Sequence, residues 1–477
     1  MSAPAHRRAL PEAPARRGWC PGLSRPMPTG DGLLARVHPP LGILTLPQAR
    51  VVAEGARRYG NGHLDLTARA NLQIRGISEA TRAPLACLLE AAGLGDTRAD
   101  GGPQRLTLTS PLAGHDPAES LDVPALARAI EAVGLTVPGL PAKTLVVVEG
   151  RLDAEMPDGD ACVFPRASGG IGIAVAAEQG FHDLATCAAE EAPAAVAALL
   201  QAFARTRMRR MRDLSPEDFS ALAVAVHLEM QARVPSPVRE RDRVRDATSP
   251  EDPGPSPQPS PARERGHGGV IRWAVPFSPR AGVEWLAPSQ SVLTVDAPFG
   301  RCTADTLDRL VDRASCLGAG EIRLSPARGF VLLPLQAPST ADLTALAEDF
   351  IIAPDDPRRS VAACTGAPAC ASGSTPTLTD AARLAEIFAL FAADGRSAHV
   401  SGCAKGCARP GPADLTLVGR NGSYGAVIGG APGDEPAMHL PIEAVLERLG
   451  RAETIGLAAA FAPESTVMDF GGNGKPA

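Results

Sequence analysis

A stretch near the start of this chain returns, altered, 258 residues later. "ILTLPQARVVAEGARRYGNGHLDLTARANLQIRGI", from Ile43, aligns without gaps with "RCTADTLDRLVDRASCLGAGEIRLSPARGFVLLPL", from Arg301. Thr45 meets Thr303, Gly60 meets Gly318, Gly62 meets Gly320, Leu64 meets Ile322 and Leu66 meets Leu324. Each copy reads as a strand, a helix capped by the threonine, a G-x-G turn and a second strand. A further helical segment follows each copy, "SEATRAPLACLLEAAG" and "STADLTALAEDF". The repeat constrains the fold strongly, because two related sequences must solve the same packing problem. The unit is a βαβ-type module used twice, as in ferredoxin-like units, and predicts an α+β fold with pseudo-two-fold symmetry.

The two copies lead into different chemistry. After the second comes "VAACTGAPACASG", with Cys364 and Cys370, and then "SGCAKGCARPGPADLTLVG", with Cys403 and Cys407. Between them "PTLTDAARLAEIFALFAA" carries apolar residues at helical spacing. The order is cysteine loop, helix, cysteine loop, and four thiolates can converge on one centre. That suits a 4Fe–4S cluster. Zinc also takes four thiolates, but its knuckles are C-x2–4-C, which C-x5-C fits poorly. Small residues around the thiols (Thr365, Gly366, Ala367, Ala369, Gly402, Gly406) let backbone amides approach sulfur. The bland alternatives are free thiols or two disulfides, and ten cysteines in 477 residues do not make a disulfide scaffold. The other six (Cys20, Cys87, Cys162, Cys187, Cys302, Cys316) show no pairing pattern and read as small core residues. After the first copy, "PQRLTLTSPLAGHD" and "PGLPAKTLVVVEG" contain no cysteine and offer polar and basic groups, Lys143 among them. One half is expected to hold a redox centre and the other to bind charge, with the site where the halves meet.

The bulk numbers exclude some classes. A net charge of −6 argues against a broad nucleic-acid-binding surface. No run of 18 apolar residues exists, so no transmembrane helix and a cytoplasmic location are expected. "MSAPAHRRALPEAPARRG", residues 1–18, has no apolar signal core and reads as a disordered tail. Residues 235–269, with eight prolines, many charges and no aromatic, read as a disordered linker that splits the chain.

Duplicated ferredoxin-like modules, each followed by a larger domain, with C-x5-C and C-x3-C after the second, resemble the sulfite/nitrite reductase family. The resemblance covers about residues 20–234 and 269–464. It implies modules at 19–100 and 270–350, and two reductase-type α/β domains. The first, 101–234, lacks cluster ligands, and the second, 351–465, carries them, with a tail at 466–477. In that family the cluster lies beside a sirohaem bridged by the last cysteine, here Cys407, and basic residues of the first half bind the tetrapyrrole carboxylates and the anion. This sequence departs from the pattern at two of four anion positions: "RVHPP" gives Arg36 then His38, and "KTL" gives Lys143 then Leu145. "TARANLQ" retains Arg69, Asn71 and Gln73. Reducing sulfite or nitrite needs dense positive charge, so the loss argues against that chemistry.

"CPGLSRPMPTGDGLLARVHPP", "CTGAPACASG" and "SGCAKGCARPGPADLTLVG" resemble the precorrin-3B synthase branch of aerobic cobalamin biosynthesis. That resemblance implies a monooxygenase acting on precorrin-3A with O2, the tetrapyrrole being substrate rather than cofactor. Sirohaem belongs only to the alternative, a sulfite or nitrite reductase. Arg36, Arg69 and Lys143 are candidates to pair with substrate carboxylates. Asn71 and Gln73 are expected to alternate with Arg69 on one strand face, and His38 to act as a base or iron ligand. Lys405, inside the C-x3-C loop, is a candidate to offset cluster charge. A mononuclear non-haem iron is consistent with O2 chemistry. No facial triad is legible, and His63 and His399 are the candidate ligands. No dinucleotide fingerprint follows a strand, so electrons from NADH are expected through an external donor.

Overall fold

The computed structural model describes residues 19–178, 180–233 and 277–462. The expected tails at 1–18 and 466–477 and the linker at 235–269 lie outside them. The chain forms two compact units, Met1–Pro117 with Ser278–Ala477, and Ala118–Phe277.

The first unit contains both repeat copies, and each forms a five-stranded antiparallel sheet. In the first sheet Met27–Thr29 pairs with Gly32–Val37, which pairs with Leu72–Ile77, which pairs with His63–Leu66. The fifth strand is Arg301–Thr303, donated by the second copy. In the second sheet Gly282–Ala287, Gln290–Asp296, Gly329–Leu332 and Glu321–Ser325 follow in the same way, and Ile43–Thr45 of the first copy closes the edge. The registers are symmetric: Thr303 faces His63 and Thr45 faces Glu321. The modules are thus interlocked by exchanged strands, and each covers an edge the other would leave open.

The crossing is built by one turn used twice. Pro40–Gly42 and Pro298–Gly300 place Leu41 and Phe299 at φ 54°, and Gly42 and Gly300 at φ 75°. Two consecutive left-handed residues swing the chain onto the other sheet, and glycine takes the second at no steric cost. Thr45 then caps Leu46–Tyr59 and Thr303 caps Ala304–Cys316, as the threonine positions predict. Arg57 bonds Asp305 across these two helices (2.7 Å), and Arg50 bonds Asp312 (2.5 Å). The later helices Glu79–Ala91 and Thr340–Ala347 are capped by Ser78 and Ser339. The α+β class and the duplicated modules are therefore as expected.

The cysteine segments belong to a third sheet in this unit. Val361–Ala363, Ala398–Ser401 and Ala413–Arg420 run parallel, and Ser423–Gly430 and Met438–Leu440 continue antiparallel. The expected helix between the cysteine loops is present as Thr377–Ile387, with a short Ala389–Ala393 beyond Phe388. It packs Ala381, Leu384 and Phe388 onto Val400, Leu415 and Leu417 with the helix Ile442–Ile455.

In the second unit Val146–Val148 lies parallel to Ala161–Pro165, followed antiparallel by Ile171–Ala176 and Phe181–Cys187. Helices Val123–Gly134, Ala192–Thr206 and Pro216–Arg233 complete it. Leu145 is 2 % exposed and serves this core. Lys143 lies in this unit, apart from the other candidate residues in sequence and in unit.

Candidate functional site

Adjacent strands of the first sheet put Arg36 directly opposite Gln73. With the Gln73 amide oriented by its partners, its oxygen accepts from Arg36 Nε (3.2 Å) and Nη2 (2.8 Å). Gln73 therefore holds Arg36 in place. Arg36 Nη1 also reaches Cys20 Sγ at 3.6 Å, and the same sulfur lies 3.6 Å from His38 Nε2. Cys20 is no ordinary core residue: it ties Arg36 to His38. Cys87 and Cys316 are exposed, so the core reading of the unpaired cysteines holds only for Cys162, Cys187 and Cys302.

Desolvation, followed by the nearby charges of Arg36 and Arg105, holds the His38 imidazole well below its usual range. The ring is therefore neutral at pH 7, and the same surroundings disfavour its protonated form. Arg105 is a site residue that sequence reasoning missed. Its guanidinium is 6 % exposed and donates to the carbonyls of Pro39 (3.1 Å) and Ala70 (3.0 Å), and also to that of Arg69. No pattern in "PQRLTLT" marks it, because its partners are backbone oxygens far away in the chain.

One expected arrangement is corrected. Arg69 does not alternate with Asn71 and Gln73 on a strand: the strand starts at Leu72, and Arg69 lies in a turn that ends at Ala70 with φ 50°. The turn forms because Thr67 takes the amide of Asn71 on its hydroxyl (3.2 Å) and gives its own amide to the Asn71 carbonyl (3.0 Å). Asn71 is 5 % exposed, and its Oδ1 is a buried acceptor without a protein partner. Buried acceptors of this kind are satisfied in most proteins, so Asn71 is a natural contact for a ligand.

The two loops that carry the cysteines touch each other. The Gly402 amide donates to Cys364 Sγ at 3.2 Å. A Cβ on Gly402 would lie 3.2 Å from Gly373 Cα and 3.3 Å from Gly366 Cα, so the two loops touch backbone to backbone. Gly366 itself has φ 65°, and a Cβ there would fall 2.3 Å from Thr377 Oγ1. Desolvation raises the Cys403 thiol and also that of Cys407, whose side chain nonetheless reaches the surface, and in both cases the charges of Cys364 and Cys370 add to the effect. Two loops in backbone contact, with an amide donor on Cys364 Sγ and a tight glycine cradle, have the chemistry that thiolate ligands of a cluster require. Lys405 is exposed at the rim of the loop.

Arginines from both modules reach these loops. Arg75, 3 % exposed, binds Asp31 (2.9 Å) and Asp65 (3.1 Å) and donates to the Ala369 carbonyl at 2.7 Å. The Gly30 amide shares that carbonyl at 3.0 Å. Arg301, on the exchanged strand, binds Asp65 (2.6 Å) and Thr365 Oγ1 (3.2 Å). Arg328 donates to the Ala408 carbonyl at 2.8 Å.

The candidate iron ligands do not assemble. Among the described residues no three His, Cys, Asp or Glu side chains, the four cysteines included, are grouped to hold a metal ion. His63 is half-buried beside Arg301. His399 is fully buried with neither ring nitrogen bonded among the described residues, and desolvation, with Arg409 and Arg328, pushes it down to about 4.

Residues 25–92 match the nitrite/sulfite reductase ferredoxin-like half domain. The fold is similar to that of the Mycobacterium tuberculosis NirA protein, with a TM-score of 0.64 at 20 % identity over 88 % of this chain and 80 % of that one. Fold and half domain together define a protein built on the nitrite/sulfite reductase plan. A ferredoxin–nitrite reductase of Leptolyngbya laminosa is 38 % identical, over 24 % of this chain and 23 % of its own. Precorrin-3B synthase of Sinorhizobium sp is 32 % identical over 460 residues, 92 % of this chain and 89 % of the relative. The chain belongs to the precorrin-3B synthase family.

Proposed function

We propose that this protein is an oxygen-dependent monooxygenase that converts precorrin-3A to precorrin-3B, hydroxylating carbon 20 with γ-lactone formation. What carries the reading is the near-full-length similarity to a precorrin-3B synthase, together with Arg36 and a neutral His38 brought together by Cys20 in the first module. Arg36 and Arg69 pair with acetate and propionate groups of the substrate. Gln73 orients Arg36, and Asn71 Oδ1 accepts from the ligand. His38 takes up a proton on its ring without first having to lose one. Cys364, Cys370, Cys403 and Cys407 hold a 4Fe–4S cluster, which supplies single electrons when bound. The electrons come from an external donor fed by NADH. No helix among the described residues is long and apolar enough to cross a membrane, and we place the reaction in the cytoplasm.

The second reading is a sirohaem-dependent sulfite or nitrite reductase, favoured by the half-domain match and the fold. His38 and Leu145, where that chemistry uses basic residues, weigh against it. One experiment separates the two: absorption spectroscopy of anaerobically purified protein, with an acid extract assayed for sirohaem, followed by incubation with precorrin-3A, O2 and a reductant. Cluster absorption without haem bands, and a product heavier by one oxygen atom, supports the oxygenase. Extractable sirohaem, with no change to precorrin-3A, overturns it. Sustained turnover with NADH and the purified chain alone would overturn the external donor.

A further inference from the structure

We propose that Arg75 and Arg328 are positioning residues that lock the two cysteine loops, one arginine from each repeat copy to each loop. The inference rests on the reading that these loops hold a cluster. Arg75 stands on the strand Leu72–Ile77, two residues beyond Gln73, and donates to the carbonyl of Ala369, the residue before Cys370. Its remaining donors are fixed by Asp31 and Asp65, so the fork cannot swing away without breaking two ion pairs, and Asp65 is itself held from the other side by Arg301. Arg328 donates to the carbonyl of Ala408, the residue after Cys407.

Arg328 adopts φ 66°, an uncommon conformation for a long side chain. Its counterpart in the first copy, 258 residues earlier, is Ala70 at φ 50°, whose carbonyl is held by Arg105. The turn is common to both copies, but only the second places an arginine there, aimed at a loop that the first copy lacks. Arg75 has Leu333 as its counterpart, so the two clamps are not symmetry mates. They are separate solutions to one problem, holding two glycine-rich loops against the modules. The strand carrying Gln73, and through it Arg36, also carries Arg75, so the charge-binding pocket and the Cys370 loop share one rigid element.

The test uses Arg75→Lys and Arg328→Lys, which keep the charge beside the buried aspartates but lose the planar fork. Arg50→Gln, a surface exchange, is the control. Anaerobic wild-type protein is first assayed for iron and acid-labile sulfide, and their absence would overturn the cluster reading alone. Metal-free protein is then alkylated with iodoacetamide and each cysteine peptide is quantified by mass spectrometry. Arg75→Lys is expected to speed alkylation of Cys370 about tenfold, the scale of one charge-assisted hydrogen bond, and to leave Cys403, the less exposed thiol of the second loop, within about twofold. Arg328→Lys is expected to do the reverse. Unchanged rates, or both thiols loosening together in each variant, would overturn the clamps. Because this readout needs no bound cluster, it stands whichever way the iron assay falls.

Discussion

Cys20 Sγ lies 3.6 Å from His38 Nε2, and Arg36 reaches the same sulfur at the same distance. A thiol in this position fixes which ring nitrogen of His38 is engaged and keeps the guanidinium from drifting toward solvent. Cys20→Ala should raise KM for the tetrapyrrole several-fold, on the scale of one weak hydrogen bond of about 1 kcal/mol. Cys20→Ser should recover most of the loss. Steady-state kinetics of both variants, together with their pH profiles, checks this. Equal impairment by Ser and Ala would show that sulfur matters for something other than hydrogen bonding.

Arg69 and the cysteines should separate binding from cluster retention. Arg69→Ala is expected to weaken substrate binding by roughly 10- to 100-fold, as one charge-assisted contact allows, while iron content stays at the wild-type level. Cys403→Ser should do the opposite and abolish iron loading. Iron assay and substrate titration on the same preparations decide it, and loss of iron in the Arg69 variant would place that residue elsewhere.

Gly402 gives a steric test of the cluster cradle. Gly402→Ala drives a methyl group against Gly373 and Gly366, both backbone. Cluster content should fall sharply. Gly433→Ala, with open space around it, should leave the content unchanged. The measurement is iron and sulfide per chain.

His399 predicts an acid-sensitive fold. Its folded-state pKa of about 4 lies below the ordinary 6.5, so between those values the unfolded chain binds more protons. The contribution is complete above pH 6.5 and is lost as pH falls toward 4, by up to roughly 3 kcal/mol. Since neither ring nitrogen has a partner, His399→Leu removes the liability. Urea midpoints at pH 7.5 and 5 should differ less in that variant than in wild type. An identical pH dependence would assign the acid loss to other groups.

The paired caps test the duplication energetically. Thr45→Ala and Thr303→Ala remove equivalent hydrogen bonds to Gln48 and Thr306. Each should cost about 1 kcal/mol. Denaturant titration of both variants would reveal any asymmetry between the two modules.

What could be read from the sequence was local or repeated. Threonine caps, G-x-G turns and the helix between the cysteine pairs obey short-range rules, and the alignment at 258 residues carried them from one copy to the other. The order cysteine loop, helix, cysteine loop was equally legible, because these segments are close in the chain. Tertiary structure alone decided the rest. No periodicity tells which sheet an edge strand will join, so the exchange of Ile43–Thr45 for Arg301–Thr303 was invisible. Arg69 was misplaced on a strand because apparent alternation cannot reveal a turn held by Thr67. Arg75, Arg105 and Arg328 bind carbonyl oxygens 294, 35 and 80 residues away, and a carbonyl has no signature in a sequence. Cys20 meets His38 only because the chain folds back between them. Local propensity sets the elements, and the reach of long side chains across packed elements, which only three-dimensional proximity defines, sets the site.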